Sequence, residues 1–234
     1  MKRRLNIVVT AVVCGFVLAS CGGGSSKSGL KENKYLGKLP AIYADYDAKK
    51  SAHEAKMEEQ GNKLMAGGEK NTSKLMKLVK EDEEATKAMK EQLTADLSAE
   101  MAKITGNEIP VSYSKALLDS DELFYTVSPV KLLEKDKTIA FAILLSAKQA
   151  FDVPRMKGYD YAAYFRFVTS DGSTITQSVL LPVKLENKAF SIAAGEQLLE
   201  NNFPVYLSNK PELYADFAGI EFISKEEYEL LTNK

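Results

Sequence analysis

The sequence predicts an α+β protein: an N-terminal long helical hairpin, an antiparallel β-sandwich-like domain, and a short C-terminal helix. Three observations carry this. Residues 41–104 are rich in Ala, Lys, Glu and Met, with apolar positions at helical spacing. Beyond Ile109 come short runs of Val, Ile, Tyr and Phe punctuated by turn residues. Near the end, "SKEEYELL" (224–231) sets a Ser three residues before a Glu, a capping-box start.

The first helix is expected over 41–66. Pro40 suits a first helical turn, and Ile42, Tyr46, His53, Met57 and Leu64 fall on one face. Lys49, Lys50 and Gly61 interrupt that face. Gly67-Gly68 makes a break, and Asn71, Thr72 and Ser73 all offer N-caps. The second helix is expected over 73–104, with a stripe of Leu75, Val79, Met89, Leu93, Leu97, Met101 and Ile104. Asp82 and Thr86 are gaps in it. The pairs Lys77/Glu81, Lys80/Glu84 and Glu83/Lys87 are spaced for weak i,i+4 support. So long a helix with so narrow a stripe wants a second helix beside it, hence an antiparallel hairpin over 40–105.

Strands are expected at 109–113, 123–133, 138–147, 161–169, 174–185 and 203–207, with 189–192 and 217–223 as two more. Asp171-Gly172 between two runs signals a hairpin. These segments make 106–234 a sandwich-like domain, which its own apolar positions lead us to expect will fold alone.

The N-terminus carries a different message. Lys2, Arg3 and Arg4 precede an apolar stretch, Ile7–Ala19, that is shorter than the roughly 20 residues a spanning helix needs. It has the size of a signal-peptide core. It ends Leu18-Ala19-Ser20-Cys21, followed by "GGGSSKSG". Leu-Ala-Ser-Cys resembles the lipobox of bacterial lipoproteins. That resemblance implies cleavage between Ser20 and Cys21, a diacylglyceryl thioether on Cys21, and acylation of the new amino terminus. Residues 1–20 are then the signal and 21–39 a flexible tether.

Processing leaves 28 basic against 32 acidic residues, a net charge of −4, with no call for a nucleic-acid partner. Cys14 leaves with the signal and Cys21 is capped by lipid. No thiol remains for a disulfide, a Cys nucleophile or a zinc finger.

The candidate chemical residues have plain structural readings. His53 is the single histidine and sits on an apolar stripe; as a site it lacks companions. Glu81, Asp82, Glu83 and Glu84 fan around a helix and lack the loop of a calcium hand. Asp119, Asp121 and Glu122 fit a turn. No serine lies in a Gly-x-Ser-x-Gly elbow, no phosphate-binding glycine loop follows a strand, and no cofactor or metal motif is present.

"CGGGSS", "YLGKLPAIYADY", the Lys/Glu/Ala-rich helix and "GIEFISKEEYELL" together resemble lipoproteins of Bacteroidetes-type bacteria that have no assigned activity. The resemblance implies an envelope location and no chemistry. Gly22 after the cysteine fits outer-membrane retention. The absence of an acidic residue before Glu32 favours the periplasmic face over the cell surface.

The expected function is therefore a non-enzymatic, lipid-anchored binding or scaffolding module, with an envelope protein or a second copy of itself as partner. Leu93 and Leu97 on the second helix are the expected docking residues. The alternative is an envelope-polymer hydrolase working through paired carboxylates.

Overall fold

A computed structural model describes residues 29–153, 162–175, 179–182 and 190–232. The signal, the lipobox with Ser20 and Cys21, and the glycine–serine stretch after them lie outside these residues. The architecture is α+β, with a helical pair first, β-sheets next and a short helix last. Among the described residues no helix is long and apolar enough to cross a membrane.

Helix α1 spans Leu39–Ala66 and α2 spans Thr72–Ile104, within two residues of expectation. The turn between them is built by glycine and asparagine. Gly68 has φ +72°, and Asn71 Nδ2 donates to the Leu64 carbonyl at 2.9 Å. Asn71 thus supports the C-terminal end of α1, adding to the bond that Gly67 N donates to the same carbonyl. A Cβ on Gly67 would run into that amide.

One detail of the α2 stripe differs from the sequence reading. Leu78 is buried, whereas Val79 is 36% exposed. At 100° per residue, Leu78 lies about 20° from Met89 around the helix and Val79 about 80° away. The expected pairs Lys77–Glu81 and Lys80–Glu84 are present, and Lys87 pairs with Glu91 rather than Glu83.

The chain forms two compact units. One contains Ala44–Leu93. The other joins Leu30–Tyr43 to everything from Thr94 onward. The second unit therefore includes Leu36, Leu39, Met101 and Ile104, all buried in the same apolar core as the strands. That core begins well before residue 106, and the chain is anchored from Asn33, inside the stretch whose composition reads as tether.

The strands are β1 (Glu108–Ile109), β2 (Val111–Tyr113), β3 (Tyr125–Val127), β4 (Val130–Lys135), β5 (Thr138–Ala147), β6 (Phe151–Val153), β7 (Ala162–Thr169), β8 (Val179–Pro182), β9 (Phe190–Ile192), β10 (Gln197–Pro204) and β11 (Phe217–Ile223). Short helices α3 (Lys115–Leu118), α4 (Pro211–Tyr214) and α5 (Lys225–Thr232) interleave with them. The first sheet runs β1-β4-β5-β10, with β3 also paired to β5. The second runs β2-β11-β7-β8, and β6 pairs with β9 separately.

Their facing sides meet in an aromatic core. Phe141 of the first sheet lies 5.2 Å from Phe167 and 5.7 Å from Phe217 (ring centroids), and Tyr125 lies 5.6 Å from Phe222. Strand β5 alternates deep burial with partial exposure, the signature of a strand with one face on a core.

Several expectations shift. The run 123–133 is two strands, because Ser128-Pro129 breaks it and Pro cannot donate to a ladder. Of the run 203–207 only Phe203 and Pro204 are strand, the tail of β10, whose polar middle, Glu200-Asn201-Asn202, hid the rest. Strand β6 was not expected. Of 174–185, Val179–Pro182 is strand and Thr174 bridges Val168, while 176–178 and 183–185 lie outside the described residues. One pairing, β2 with β11, is parallel. There Pro110 carries the chain from one sheet to the other. Gly219 makes this possible, since a Cβ would approach the Pro110 carbonyl to 2.6 Å. The Asp171-Gly172 turn forms as expected, with Gly172 at φ +83°.

Candidate functional site

A polar member of the α1 stripe, His53, meets a polar gap in the α2 stripe, Asp82. His53 Nε2 lies 2.8 Å from Asp82 Oδ1, in a seam otherwise made of Met57, Leu78 and their neighbours. The pair satisfies both groups where each would be costly alone. His53 thus has a structural partner, drawn from the acidic run at 81–84. Glu81 and Glu84 of that run pair with lysines of their own helix.

A second polar centre holds the start of the folded chain. Asn33 is 5% exposed. Its Oδ1 accepts from Tyr35 N (2.9 Å) and Leu36 N (3.0 Å). Its Nδ2 donates to the carbonyls of Phe217 (2.8 Å) and Ala215 (3.0 Å). The turn closes with Asn33 and Gly37 exchanging backbone hydrogen bonds at 2.8 and 2.9 Å. Leu36 at the turn's apex is fully buried.

Next to it, Glu100 of α2 is buried at 4% exposure. Its carboxylate accepts from Lys38 N at 2.9 Å and from Lys103 Nζ at 2.8 Å. Burial pushes its carboxyl up, but the Lys103 ammonium and the Lys38 N–H together outweigh this, and the net direction is down. Gly37 sits at φ +57°, and a Cβ there would meet Glu100 Oε1 and Ile104 Cγ2.

A third centre joins two helix starts. Ser114 Oγ caps α3 by accepting from Leu117 N at 3.1 Å. Ser224 and Glu227 form the expected capping box of α5, with Ser224 N donating to Glu227 Oε2 (2.9 Å) and Glu227 N donating to Ser224 Oγ (3.2 Å). The Ser114 hydroxyl also donates to Glu227 Oε2, so one carboxylate serves both caps. Glu122 accepts from Lys225 N at 2.8 Å and Asp119 ends α3. Asp171 accepts from the Thr169 hydroxyl and Ser173 N, and these bonds hold its carboxyl down at about 2. It does turn chemistry.

Tyr125 is buried to 1% exposure, and its hydroxyl has no hydrogen-bond partner among the described residues. Burial pushes its pKa upward, with smaller contributions from Tyr113 and Glu122.

The expected docking residues, Leu93 and Leu97, are both partly buried. Leu97 packs against the β core and Leu93 is half-buried. Apolar exposure on the helices falls instead beside the α1–α2 turn, at Met65 (38%), Met76 (71%) and Val79 (36%). Neither Met65 nor Met76 belongs to a stripe in the sequence, because each follows a stripe residue directly.

Among the described residues, no group of three His, Cys, Asp or Glu side chains is placed to hold a metal ion. No known protein family, curated protein or solved structure matches the chain.

Proposed function

We propose that this is a lipid-anchored cell-envelope protein that works as a non-enzymatic binding or scaffolding module. The observation that carries this reading is the sequence around Cys21 taken with the point at which the fold takes hold. A lipobox-like cysteine ends an apolar run, and Asn33 is gripped by two carbonyls of the globular unit twelve residues later. Twelve residues reach at most about 40 Å, so an acylated Cys21 keeps the folded unit close to the membrane. Two or more acyl chains supply stable anchoring where one would not.

The binding-module part rests on how the ionisable side chains are used. His53 pairs with Asp82, Glu100 holds the start of α1, and Glu227 caps two helices. Each of these serves to join segments of this chain. The envelope location proposed is the outer membrane, with the periplasmic face favoured.

The test is the fate of Cys21. Expressed in a Gram-negative host, the wild-type chain should partition into detergent, and its N-terminal peptide should carry the mass of a diacylglyceryl group and an added acyl chain on Cys21. Cys21→Ala should give an uncleaved or soluble product. An acylated, membrane-bound Cys21→Ala protein would overturn the assignment.

A further inference from the structure

We propose that the turn end of the α1–α2 pair is a second membrane contact, which seats Met65 and Met76 in an anionic phospholipid surface. The proposal rests on the envelope reading only in that a lipid surface must be within reach.

Two observations converge on this end. The first is apolar. Met65, Met76 and Val79 are three of the seven large apolar side chains exposed among the described residues, and all lie within 15 positions of one another. Met65 directly follows the seam residue Leu64, Met76 follows Leu75, and Val79 follows Leu78. Each is therefore turned about 100° from the seam in the same sense. Because the two helices run in opposite directions, the same rotation brings all three to one side of the pair. Methionine is flexible and polarizable, suited to a surface of no fixed shape.

The second observation is charge. Residues 60–80 contain Lys63, Lys70, Lys74, Lys77 and Lys80 against Glu69, a net +4. The mature chain as a whole carries −4, so the remainder carries −8. An anionic surface therefore repels most of this protein and attracts this end. Lys63, Lys77 and Lys80 reach carboxylates one turn away, Glu59, Glu81 and Glu84. All three lysines are more than 70% exposed, and exposed pairs of this kind hold their partners weakly. Lys63, Lys74 and Lys77 precede the seam residues and so flank the side opposite the methionines. A surface met end-on by the turn touches both sides at once. Met76 stands about 6 Å along α2 from its first residue, within the 5–10 Å depth to which interfacial helices bury apolar groups.

The experiment uses the unlipidated mature chain from Gly22, which retains every described residue, so that Cys21 plays no part. Flotation is measured with vesicles of phosphatidylcholine alone and of phosphatidylcholine mixed with phosphatidylglycerol. The expected result is flotation with the mixed vesicles only, lost in high salt, where screening is strong. A lysine near such a surface is worth about fivefold in binding, so Lys74→Glu with Lys77→Glu should weaken flotation more than twentyfold. Met76→Ser should weaken it on mixed vesicles while helical circular dichroism stays unchanged. Failure to float, equal flotation on neutral vesicles, or indifference to all these substitutions overturns the proposal. The lipid anchor is tested separately by the mass on Cys21, so either reading can fail while the other stands.

Discussion

His53 Nε2 and Asp82 Oδ1 sit 2.8 Å apart between two antiparallel helices, His53 as a polar member of the α1 stripe and Asp82 as a gap in that of α2. Read singly, both residues weaken the case for a helical seam. Read as a pair, they strengthen it, because a polar group on one stripe needs a partner on the other and only one register provides it. Such pairs fix alignment at some cost in stability. We predict that His53→Leu with Asp82→Leu leaves the hairpin folded and more resistant to denaturant, while Asp82→Leu alone destabilises it by about 1–3 kcal/mol. Hydrogen exchange across α1 and α2 measures both. A double variant less stable than the single one would refute the seam argument.

The Asn33 turn leads to a second prediction. Asn33→Asp replaces a donor amide with a carboxylate facing the carbonyls of Ala215 and Phe217. Losing two buried hydrogen bonds and setting charge against carbonyl oxygen should cost about 3 kcal/mol or more. Gly37→Ala should be comparably harmful, through its left-handed backbone and the crowding of Glu100. Thermal melts of both variants check this. A melting temperature within a degree or two of wild type for either would show that the turn is not held as described.

Much of the fold was legible because its signals are local. The period of Leu75, Met89, Leu93 and Leu97 gave α2, the apolar run 138–147 between turn residues gave β5, and Ser224 with Glu227 gave the start of α5. What was hidden depends on contacts distant in sequence. Asn33 reads as tether because its partners lie 182 and 184 residues away. Ser114 reads as loop because the carboxylate it shares with Ser224 is 113 residues on. The parallel β2–β11 pairing needs Gly219 to sit under Pro110, which no local pattern encodes. The site was less legible than the fold: the pairing of His53 with Asp82 was present only as a lone histidine on one stripe and an unexplained gap in the other.

Glu100 sets an acid limit on stability. Its folded-state carboxyl is held below the ordinary value of 4.5 by Lys103 and Lys38 N–H despite burial. A lowered pKa contributes stability above the unfolded value, and that contribution is lost as pH falls through the folded value. The wild-type melting temperature should therefore decline below about pH 4.5. Glu100→Gln should melt lower at neutral pH and lose less on acidification. Parallel curves for the two proteins from pH 7 to 3 would assign the acid sensitivity elsewhere.

The β4–β5 hairpin contains a removable strain. Asp136 and Lys137 both have positive φ, 51° and 62°, the conformation of a two-residue turn that favours Asn or Asp followed by Gly. Asp136 suits its place and Lys137 does not. Lys137→Gly should stabilise the protein by about 0.5–1 kcal/mol, read as a shift in urea midpoint at unchanged slope. A destabilised variant would mean that the lysine side chain makes up for its backbone.

The last prediction separates the two compact units. The second unit comprises Leu30–Tyr43 and the chain from Thr94, and its core takes Leu36 and Leu39 from one side of the hairpin and Met101 and Ile104 from the other. A fragment beginning at residue 106 lacks all four. Their loss removes large buried side chains worth about 1.5–3 kcal/mol each, comparable in total with the whole stability of a domain. That fragment should therefore bind ANS and unfold without a cooperative transition. A chain in which 44–93 is replaced by a short Gly-Ser linker keeps the four residues, the Asn33 turn and the Glu100 contacts. It should retain a cooperative melt and native-like near-ultraviolet circular dichroism. If the 106–234 fragment folds cooperatively and the linker-joined chain does not, the helical base is an ornament of the β unit and not part of its core.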